Sequence, residues 1–512
     1  MTDSTTTTVA AAEAPREFLG HPRGLATLFF TEMWERFTYY GMRAILILFM
    51  TASAAAGGLG MSAETAGAIY GLYTAGVYLF SLPGGWIADR LLGQRNAVFW
   101  GGVLIAAGNL VLAIPAGASL TFFGLFVITL GVGLLKPNVS VLVGELYKGD
   151  TGARRDAAFS IFYFGINLGA FIAPLIVGTL GETVSWRVGF LAAGVAMIIG
   201  LVQYKVWGHW LGDAGVHPAP SSEAERGRSR RTLTIGLAVL AVLVVLAFSG
   251  LIPLDVVQIA NVAGIAMLAL AVYFFGYVLL FGGLKSDEKK RVLVIAIFFL
   301  CAALFWAGFE QAGSTFNLFA RDYTDRSLFG SFFAEGQHPA SWYQSVNPIF
   351  ILLLSPVFAW LWMALGKRNL DPSAPAKFGL GLIQLGLGFA VMMVAAEVVI
   401  TSERNVLPTW LVLTYLLHTT GELCLSPIGL SNVTKLAPAR YVGQMMGTWF
   451  LGAAVGNLAA GLIGGHVGGG DVADMPAQFL RMALIGGGAG VLLLLIARPV
   501  RRWMGTASEG RS

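Results

Sequence analysis

Apolar residues occur along this chain in long runs that are separated by short polar segments. Windows of about 20 predominantly apolar residues are long enough to cross a bilayer as a helix. Fourteen windows of this kind can be placed, at 25–52, 65–88, 97–116, 120–146, 158–180, 187–210, 232–251, 256–283, 292–319, 343–366, 378–400, 407–434, 442–465 and 477–499. The pattern therefore predicts an all-α integral membrane protein with fourteen transmembrane helices.

Composition and the placement of positive charge agree with this interpretation. The 512 residues are 56% hydrophobic and only 12% charged, with a mean hydropathy of +0.72. If the N-terminus is inside, 25 of the 33 Lys and Arg fall in cytoplasmic segments, five fall in outer segments and three lie within spans. Cytoplasmic loops of membrane proteins carry such an excess. We therefore expect a multi-pass protein of the cell inner membrane with both termini in the cytoplasm.

The polar stretch 217–231 separates the first six windows from the rest. The next two windows carry almost no ionisable residues, which is typical of lipid-facing helices. Without them, six plus six helices remain, as in transporters built from two halves with the site between them. The predicted order is a cytosolic tail (1–23), an N-terminal six-helix bundle (24–211), a cytosolic linker (212–231), an extra helix pair (232–283), a C-terminal six-helix bundle (284–502) and a second tail (503–512).

One face of the first predicted helix is crowded with polar side chains. At about 100° per residue, six of them fall within an arc of roughly 140°. An ionisable group at the bilayer centre costs about 2.5–3.5 kcal/mol, so such groups mark an ion or substrate pathway by default. A helix start in the interface with solvated charges is the structural alternative, but apolar residues flank the cluster on both sides. The six are Glu32, Glu35, Arg36, Tyr39, Tyr40 and Arg43.

Other ionisable residues lie inside later windows. Lys136 precedes a proline, Glu310 follows Trp306 and Phe309, and Glu422 precedes Ser426-Pro. The intramembrane cations Arg43 and Lys136 thus belong to the first half, and the two glutamates belong to the second. Because an unpartnered buried charge is strongly unfavourable, bridges across the halves are expected. They would control access to a central cavity, unless they are permanent structural ion pairs. Spacing does not say which cation pairs with which anion.

The short loop after the second window combines glycines with charges. It runs from Gly84 to Arg95, and Asp89, Arg90 and Arg95 suit a charge latch on the cytoplasmic face. This loop resembles the loop motif of the major facilitator superfamily, and an ordinary short basic loop is the structural alternative.

Taken together, five motifs resemble one family, the bacterial proton-dependent oligopeptide transporters (POT/PTR family) of that superfamily. The resemblance covers residues 24–500 and implies two six-helix bundles with two extra helices between them. The motifs are Glu32-x-x-Glu35-Arg36-Phe-x-Tyr-Tyr40, the Gly84–Arg95 loop, Phe162-Tyr-x-x-Ile-Asn167, Phe305-Trp-x-x-Phe-Glu310-Gln and Gly421-Glu-Leu-x-x-Ser426-Pro.

The resemblance also implies roles for individual residues. Proton coupling would involve Glu32, Glu35, Arg36, Lys136 and Glu310. The peptide carboxylate would be held by Tyr40, Arg43 and Lys136, and the peptide amino group by Glu422, Asn167 and Asn347. Side-chain pockets would be lined by Tyr78, Tyr163, Trp306, Phe309 and Trp449, with Ser426 as a further substrate contact. The gate salt bridges would be Arg43–Glu310 and Lys136–Glu422.

The implied activity is proton-coupled import of di- and tripeptides, and of peptide-like drugs, by alternating access. The lipid bilayer is the expected surrounding. The resemblance implies that protons are the coupling ion. It does not imply an enzyme activity, a metal, a cofactor, a nucleic acid or an obligate protein partner. Mammalian-type relatives have a histidine in the second helix where this chain has Gly71. Proton coupling would therefore depend on carboxylates, and we hypothesise that protonation of Glu32 or Glu35 frees Arg36 for another acid.

Three other classes of function stay open at this point. A related transporter of nitrate or another small anion would keep the fold, but the Glu-x-x-Glu-Arg cluster and Glu422 favour a proton and a peptide amine. A membrane-embedded enzyme requires a metal set or a nucleophile–base pair, and none stands out in the sequence. A channel is disfavoured because opposite charges in separate halves suit alternating access better than a charged ring around a pore.

Overall fold

The chain is almost entirely helical in the computed structural model, which describes residues 17–149, 152–219, 222–249, 255–333 and 336–505. A two-residue hairpin, Glu17–Phe18 (β1) with His21–Pro22 (β2), precedes the first helix. The helices in the described residues are α1 (Gly24–Thr51), α2 (Ala63–Ile87), α3 (Gln94–Ala113), α4 (Ala118–Leu146), α5 (Ala153–Ala173), α6 (Trp186–Trp207), α7 (Glu223–Phe248), α8 (Val256–Phe281), α9 (Ser286–Phe309), α10 (Thr315–Tyr323), α11 (Val346–Lys367), α12 (Ala374–Ser402), α13 (Thr409–Leu436), α14 (Val442–Gly469), α15 (Met475–Leu495) and α16 (Ala497–Met504).

Within the described part of the chain, fourteen of these helices have 20 to 29 residues. Eleven helical segments there are long and apolar enough to cross a membrane. The three remaining long helices, α1, α2 and α13, pack among them. In α1 the apolar pattern is interrupted by four buried ionisable residues, Glu32, Glu35, Arg36 and Arg43. The fourteen predicted windows thus correspond one to one with fourteen long helices.

The helices form two bundles that meet at the middle of the molecule. In the first, α1 packs on α5 and α6, and α3 packs on α4 and α6. In the second, α12 packs on α13 and α15, and α14 packs on α9. The bundles contact each other mainly through α2 against α14 and α5 against α11. Helix α8 lies against α2 and α14, whereas α7 has no buried residue in its described part.

Glycines allow α2 and α14 to approach closely. A Cβ added at Gly67 would lie 2.4 Å from the carbonyl oxygen of Gly461, and one added at Gly71 would lie 2.8 Å from that of Leu458. Gly67 and Gly71, like Gly461 and Gly465, have the four-residue spacing that lets membrane helices pack backbone to backbone. This contact joins the two halves near the N-terminal end of α2.

Several helix boundaries differ from the predicted windows. Helix α7 begins at Glu223, inside the predicted linker, because Ser222 and Glu225 form a capping box. The prediction of one continuous helix over 292–319 is wrong, since α9 ends at Phe309 and a 3₁₀ turn, Glu310–Gly313, precedes α10. Helix α5 continues into two π-helical turns, Pro174–Gly178 and Leu180–Val184. Most of the two predicted tails, 1–16 and 506–512, lies outside the described residues.

Candidate transport site

A cavity of about 110 Å³ lies between the two bundles at the centre of the molecule. Helices α1, α2 and α5 line it from the first half, and α9, α11 and α13 line it from the second. Nine of the predicted substrate residues face it: Tyr40, Arg43, Tyr78, Tyr163, Asn167, Trp306, Phe309, Asn347 and Glu422. Residues from motifs far apart in sequence therefore meet in one enclosed space.

An ion pair joins the halves at this cavity. Arg43 Nη2 lies 2.9 Å from Glu310 Oε2, and both side chains are almost fully buried. Arg43 Nε also donates to the hydroxyl of Tyr70 at 2.7 Å. Because α9 stops at Phe309, Glu310 stands at the start of a 3₁₀ turn rather than inside a helix. The structure thus forms the first of the two predicted salt bridges, and its role as a gate stays a prediction.

The second half supplies a carboxylate to the same cavity. Asn347 Nδ2 donates to Glu422 Oε2 at 3.2 Å and to Thr419 Oγ1 at 2.9 Å. A carboxylate can accept further hydrogen bonds on its remaining lone pairs. Glu422 is therefore held in place by Asn347 and keeps capacity for a cationic or N–H donor from the cavity.

Aromatic rings form much of the cavity wall. Trp306 and Phe309, one turn apart on α9, meet edge to face at 5.3 Å. Tyr40 lies beneath the Arg43 guanidinium, with the cation 5.5 Å from the ring centroid. Broad apolar surfaces with a few fixed polar groups suit ligands whose ends are constant and whose side chains vary.

A separate buried charge cluster lies on α1 before the cavity. Arg36 Nε is 3.1 Å from Glu32 Oε1 and also forms an ion pair with Glu35. Three polar atoms of the cluster, Glu32 Oε2, Glu35 Oε1 and Arg36 Nη2, have no hydrogen-bond partner among the described residues. At about 1.5 Å rise per residue, Arg36 and Arg43 are about 10 Å apart along the helix. The cluster does not line the cavity, but these three atoms keep unused hydrogen-bonding capacity.

Three of the twelve predicted substrate residues do not face the central cavity. Lys136 Nζ lies over the ring of Tyr78, 4.2 Å from its centroid, and no ion pair joins it to Glu422 in the described part of the chain. The predicted Lys136–Glu422 salt bridge is therefore not formed in this structure and stays a prediction for another conformation. Ser426 lines a second, larger cavity, and Trp449 packs on Phe378 with ring centroids 6.4 Å apart.

That larger cavity opens at the end of the molecule where α5 begins. It has a volume of about 1110 Å³ and shares Tyr163 and Asn167 with the central cavity. Asp156 and Ser160 line it on α5, and Ser431 lines it on α13. This is the end to which the Lys- and Arg-rich segments belong, so the larger cavity lies between the central cavity and the predicted cytoplasmic side.

Hydrogen bonds close the opposite end between the halves. Glu182, after α5, accepts hydrogen bonds from Ala340 N and Ser341 N at 2.9 Å each and from Ser341 Oγ at 2.5 Å. Asn317 Nδ2 donates to the Ala44 carbonyl at 2.7 Å. Sequence reasoning missed these residues, and an acid near the end of an apolar window was the only available signal for Glu182. We call the contacts of Glu182 with Ala340 and Ser341 the outer latch.

The predicted loop motif is structured by polar contacts. Asp89 Oδ1 accepts from Gln94 Nε2 at 2.9 Å, and Arg95 Nη1 donates to the Gly212 carbonyl at 2.6 Å. Arg95 also donates to the Gly208 carbonyl, at the end of α6. Asp89 and Arg95 thus connect the loop to its surroundings, whereas Arg90 is exposed.

Two membrane bundles around a charged, enclosed cavity define a secondary transporter. Comparison with known proteins gives the particular family. The sequence profile described as the POT family matches residues 95–472. The chain is 44% identical over 499 residues to the peptide transporter YePEPT of Yersinia enterocolitica, covering 96% of both chains. It is 39% identical over 501 residues to a di-/tripeptide transporter of Lactococcus lactis subsp. cremoris, covering 96% of this chain and 98% of the relative.

Solved structures agree. A crystal structure of a mutant peptide transporter in complex with alafosfalin superposes with a TM-score of 0.87 at 41% identity, covering 96% of this chain and 97% of the other. The chain therefore belongs to the POT family, has the major facilitator fold and is a transporter rather than an enzyme. The resemblance inferred from the five motifs is confirmed.

Proposed function

We propose that this protein is a proton-coupled symporter that imports di- and tripeptides across the cell inner membrane by alternating access. The observation that carries the proposal is the central cavity, where Arg43 and Glu422 face one space between aromatic walls. A zwitterionic peptide has a carboxylate at one end and an ammonium at the other. Charge-assisted hydrogen bonds at both ends would fix the peptide backbone and leave the side chains unspecified.

The Arg43–Glu310 pair gives substrate binding a route to the gate. Arg43 has one guanidinium group, and a peptide carboxylate would compete with Glu310 for it. Binding at the cavity would therefore weaken a contact that holds the halves together. In the structure this pair and the outer latch are both formed, and the larger cavity next to the central one opens at the opposite end, which supports an inward-facing conformation.

Proton coupling is assigned to the Glu32–Glu35–Arg36 cluster. Two carboxylates share one guanidinium there, so protonation of either acid would leave Arg36 fully available to the other acid or to a new partner. The unsatisfied atoms of the cluster support a site whose hydrogen bonding changes during the cycle. No cofactor is required by this scheme.

The test is uptake of labelled dialanine into proteoliposomes that contain wild-type protein, Glu32→Gln or Glu35→Gln. We expect both variants to lose uptake driven by an inward proton gradient and to keep peptide exchange without a gradient. Glu64→Gln, an exposed carboxylate, is the matched control and should behave as wild type. Full proton-driven uptake by both cluster variants would refute the assignment. Uptake of labelled nitrate that excess dialanine does not inhibit, together with no uptake of labelled dialanine, would refute the peptide cargo.

A further inference from the structure

A membrane-facing apolar cavity separates α7 from the N-terminal bundle. It has a volume of about 660 Å³ and is lined by Phe80 and Trp86 of α2, by Leu130 of α4 and by Leu233, Leu237 and Leu240 of α7. The described residues of α7 are all at least partly exposed, so this helix stands off from the bundle instead of closing the gap. In a bilayer such a space is occupied by hydrocarbon, and its walls offer almost only apolar atoms to the occupant.

Positive charge lies at one end of this cavity. Helical geometry places Arg226 and Arg230 within about 60° of Leu233, on the face of α7 that lines the cavity. Arg90 is contributed by the π-helical turn Ala88–Leu92, which contacts α7. All three arginines are exposed, and none forms an ion pair with another residue that the structure describes.

The turn and the start of α7 are connected, so the three arginines belong to one surface. Ala219 N donates to the Asp89 carbonyl at 2.8 Å, just before α7 begins. Glu225 is one acidic side chain that lies near Arg90 and Arg228. Its carboxylate accepts from Ser222 N at 3.0 Å and from Ser222 Oγ at 3.1 Å, so it is engaged by the start of its own helix.

We propose that this cavity binds an anionic phospholipid of the cytoplasmic leaflet. The phosphate would lie among Arg90, Arg226 and Arg230, and one acyl chain would extend along the apolar cavity between α7 and α2. Basic pockets between transmembrane helices on the cytoplasmic side bind anionic lipid headgroups, and juxtamembrane cations attract the anionic leaflet. The orientation rests on the proposed function, but the lipid readout below does not depend on transport.

The test is native mass spectrometry of the purified full-length protein titrated with phosphatidylglycerol or phosphatidylcholine. Each cation near an anionic headgroup contributes about fivefold in affinity, so three arginines should favour phosphatidylglycerol by about 100-fold at low salt. We expect one tightly retained phosphatidylglycerol, and its retention should weaken as salt is raised. Equal retention of the two lipids would overturn the proposal.

Two variants separate the headgroup from the acyl chain. R90Q/R226Q/R230Q should abolish the preference for phosphatidylglycerol, whereas K289Q/K290Q/R291Q, which removes three cations at the start of α9, should preserve it. Gly236→Phe should displace the acyl chain, because Gly236 lines the cavity and a Cβ there meets nothing within 4 Å. Gly276→Phe on α8, where a Cβ also meets nothing, is its control.

An unchanged preference for phosphatidylglycerol in R90Q/R226Q/R230Q would overturn the assignment of the headgroup. So would an equal loss of this preference in the control K289Q/K290Q/R291Q. Retention unchanged by Gly236→Phe would overturn the assignment of the chain. A dimer peak that disappears in Gly236→Phe would instead assign the cavity to a second copy of the protein. If transport fails in the liposome test but these lipid results hold, the lipid site stands without the proposed symport.

Discussion

The outer latch offers a direct way to shift the conformational equilibrium. Glu182 belongs to the first half and its hydrogen-bond donors, Ala340 N, Ser341 N and Ser341 Oγ, belong to the second, so all three bonds must break for the outer side to open. Arg326 Nη1, 4.0 Å from the carboxylate, adds a weaker attraction. Glu182→Gln removes the charge and turns an NH₂ group toward one of the donors.

The size of the effect follows from these contacts. A hydrogen bond to a charged group contributes about 1.5–3 kcal/mol, and a neutral one about 0.5–1.5 kcal/mol. Losing one of the three bonds and weakening the others should cost the closed outer side about 3 kcal/mol. That corresponds to a shift of about 100-fold toward outer opening. An outward-open population of about 1% would then become comparable to the inward-facing one.

The assay is pulsed electron paramagnetic resonance between spin labels at Ala55→Cys and Ser402→Cys, which are exposed at the outer ends of the two halves. The native Cys301 and Cys424 are buried. Wild type should give one short distance, and Glu182→Gln should add a longer one. Glu64→Gln is the matched control, because its exposed contact with His466 also joins the halves at 3.6 Å. Exposed pairs contribute little, so this control should match wild type. A Glu182→Gln distribution identical to wild type would refute the latch.

Three further outcomes follow from the structure. Glu422→Gln should weaken dialanine binding by about 10- to 100-fold in calorimetry, since a charged partner for the peptide amine is lost, but it should leave binding of N-acetylated dialanine unchanged. Gly67→Leu should lower the melting temperature and reduce the outer-closed distance population, because its Cβ would lie 2.4 Å from the Gly461 carbonyl. Burial lowers the pKa of His338, so its contribution to stability is complete above about pH 6.5 and is lost as the pH falls. The protection factors of outer-loop amides in hydrogen exchange, which correct for the intrinsic effect of pH on the exchange rate, should therefore fall from pH 7 to pH 5, and His338→Gln should flatten this dependence.

Each of these expectations has a control and a contrary result. Glu397→Gln, an exposed acid, should not change peptide affinity, and equal losses for dialanine and its N-acetylated form would argue against an amine contact at Glu422. Gly443→Leu should be tolerated, because a Cβ there meets nothing within 4 Å. An unchanged melting temperature in Gly67→Leu would contradict tight packing of α2 on α14. His209 is exposed, so His209→Gln should leave the pH dependence unchanged. An unchanged pH dependence in His338→Gln would contradict a role for the buried His338 ring.

Hydropathy predicted the long helices because a bilayer imposes a minimum apolar length that shows in the sequence. It did not predict the interruption after Phe309, since the short turn Glu310–Gly313 lies inside a window that is apolar on both sides of it. The turn is specified by what it contacts, including the Arg43–Glu310 pair across the halves. The early start of α7 was readable in principle from Ser222 and Glu225, whose spacing is that of a capping box.

The charged cavity residues Arg43, Glu310 and Glu422 could be predicted from their position in apolar windows, whereas most of the uncharged ones could be predicted only through the family resemblance. Charge spacing alone left the partners of Arg43 and Lys136 open, because the separation between halves depends on tertiary packing and on conformation. The structure pairs Arg43 with Glu310 and leaves Lys136 over Tyr78. The outer latch lay beyond both kinds of reasoning, since two of its three donors are backbone N–H groups that carry no residue-specific signal.

We propose that peptide import by this protein is coupled to the inward movement of protons. The most direct measurement is uptake of dialanine and trialanine into proteoliposomes that contain the wild-type protein, with and without an inward proton gradient. We expect accumulation above equilibrium only when the gradient is present, accompanied by alkalinisation outside. Uptake that is indifferent to the gradient would contradict it.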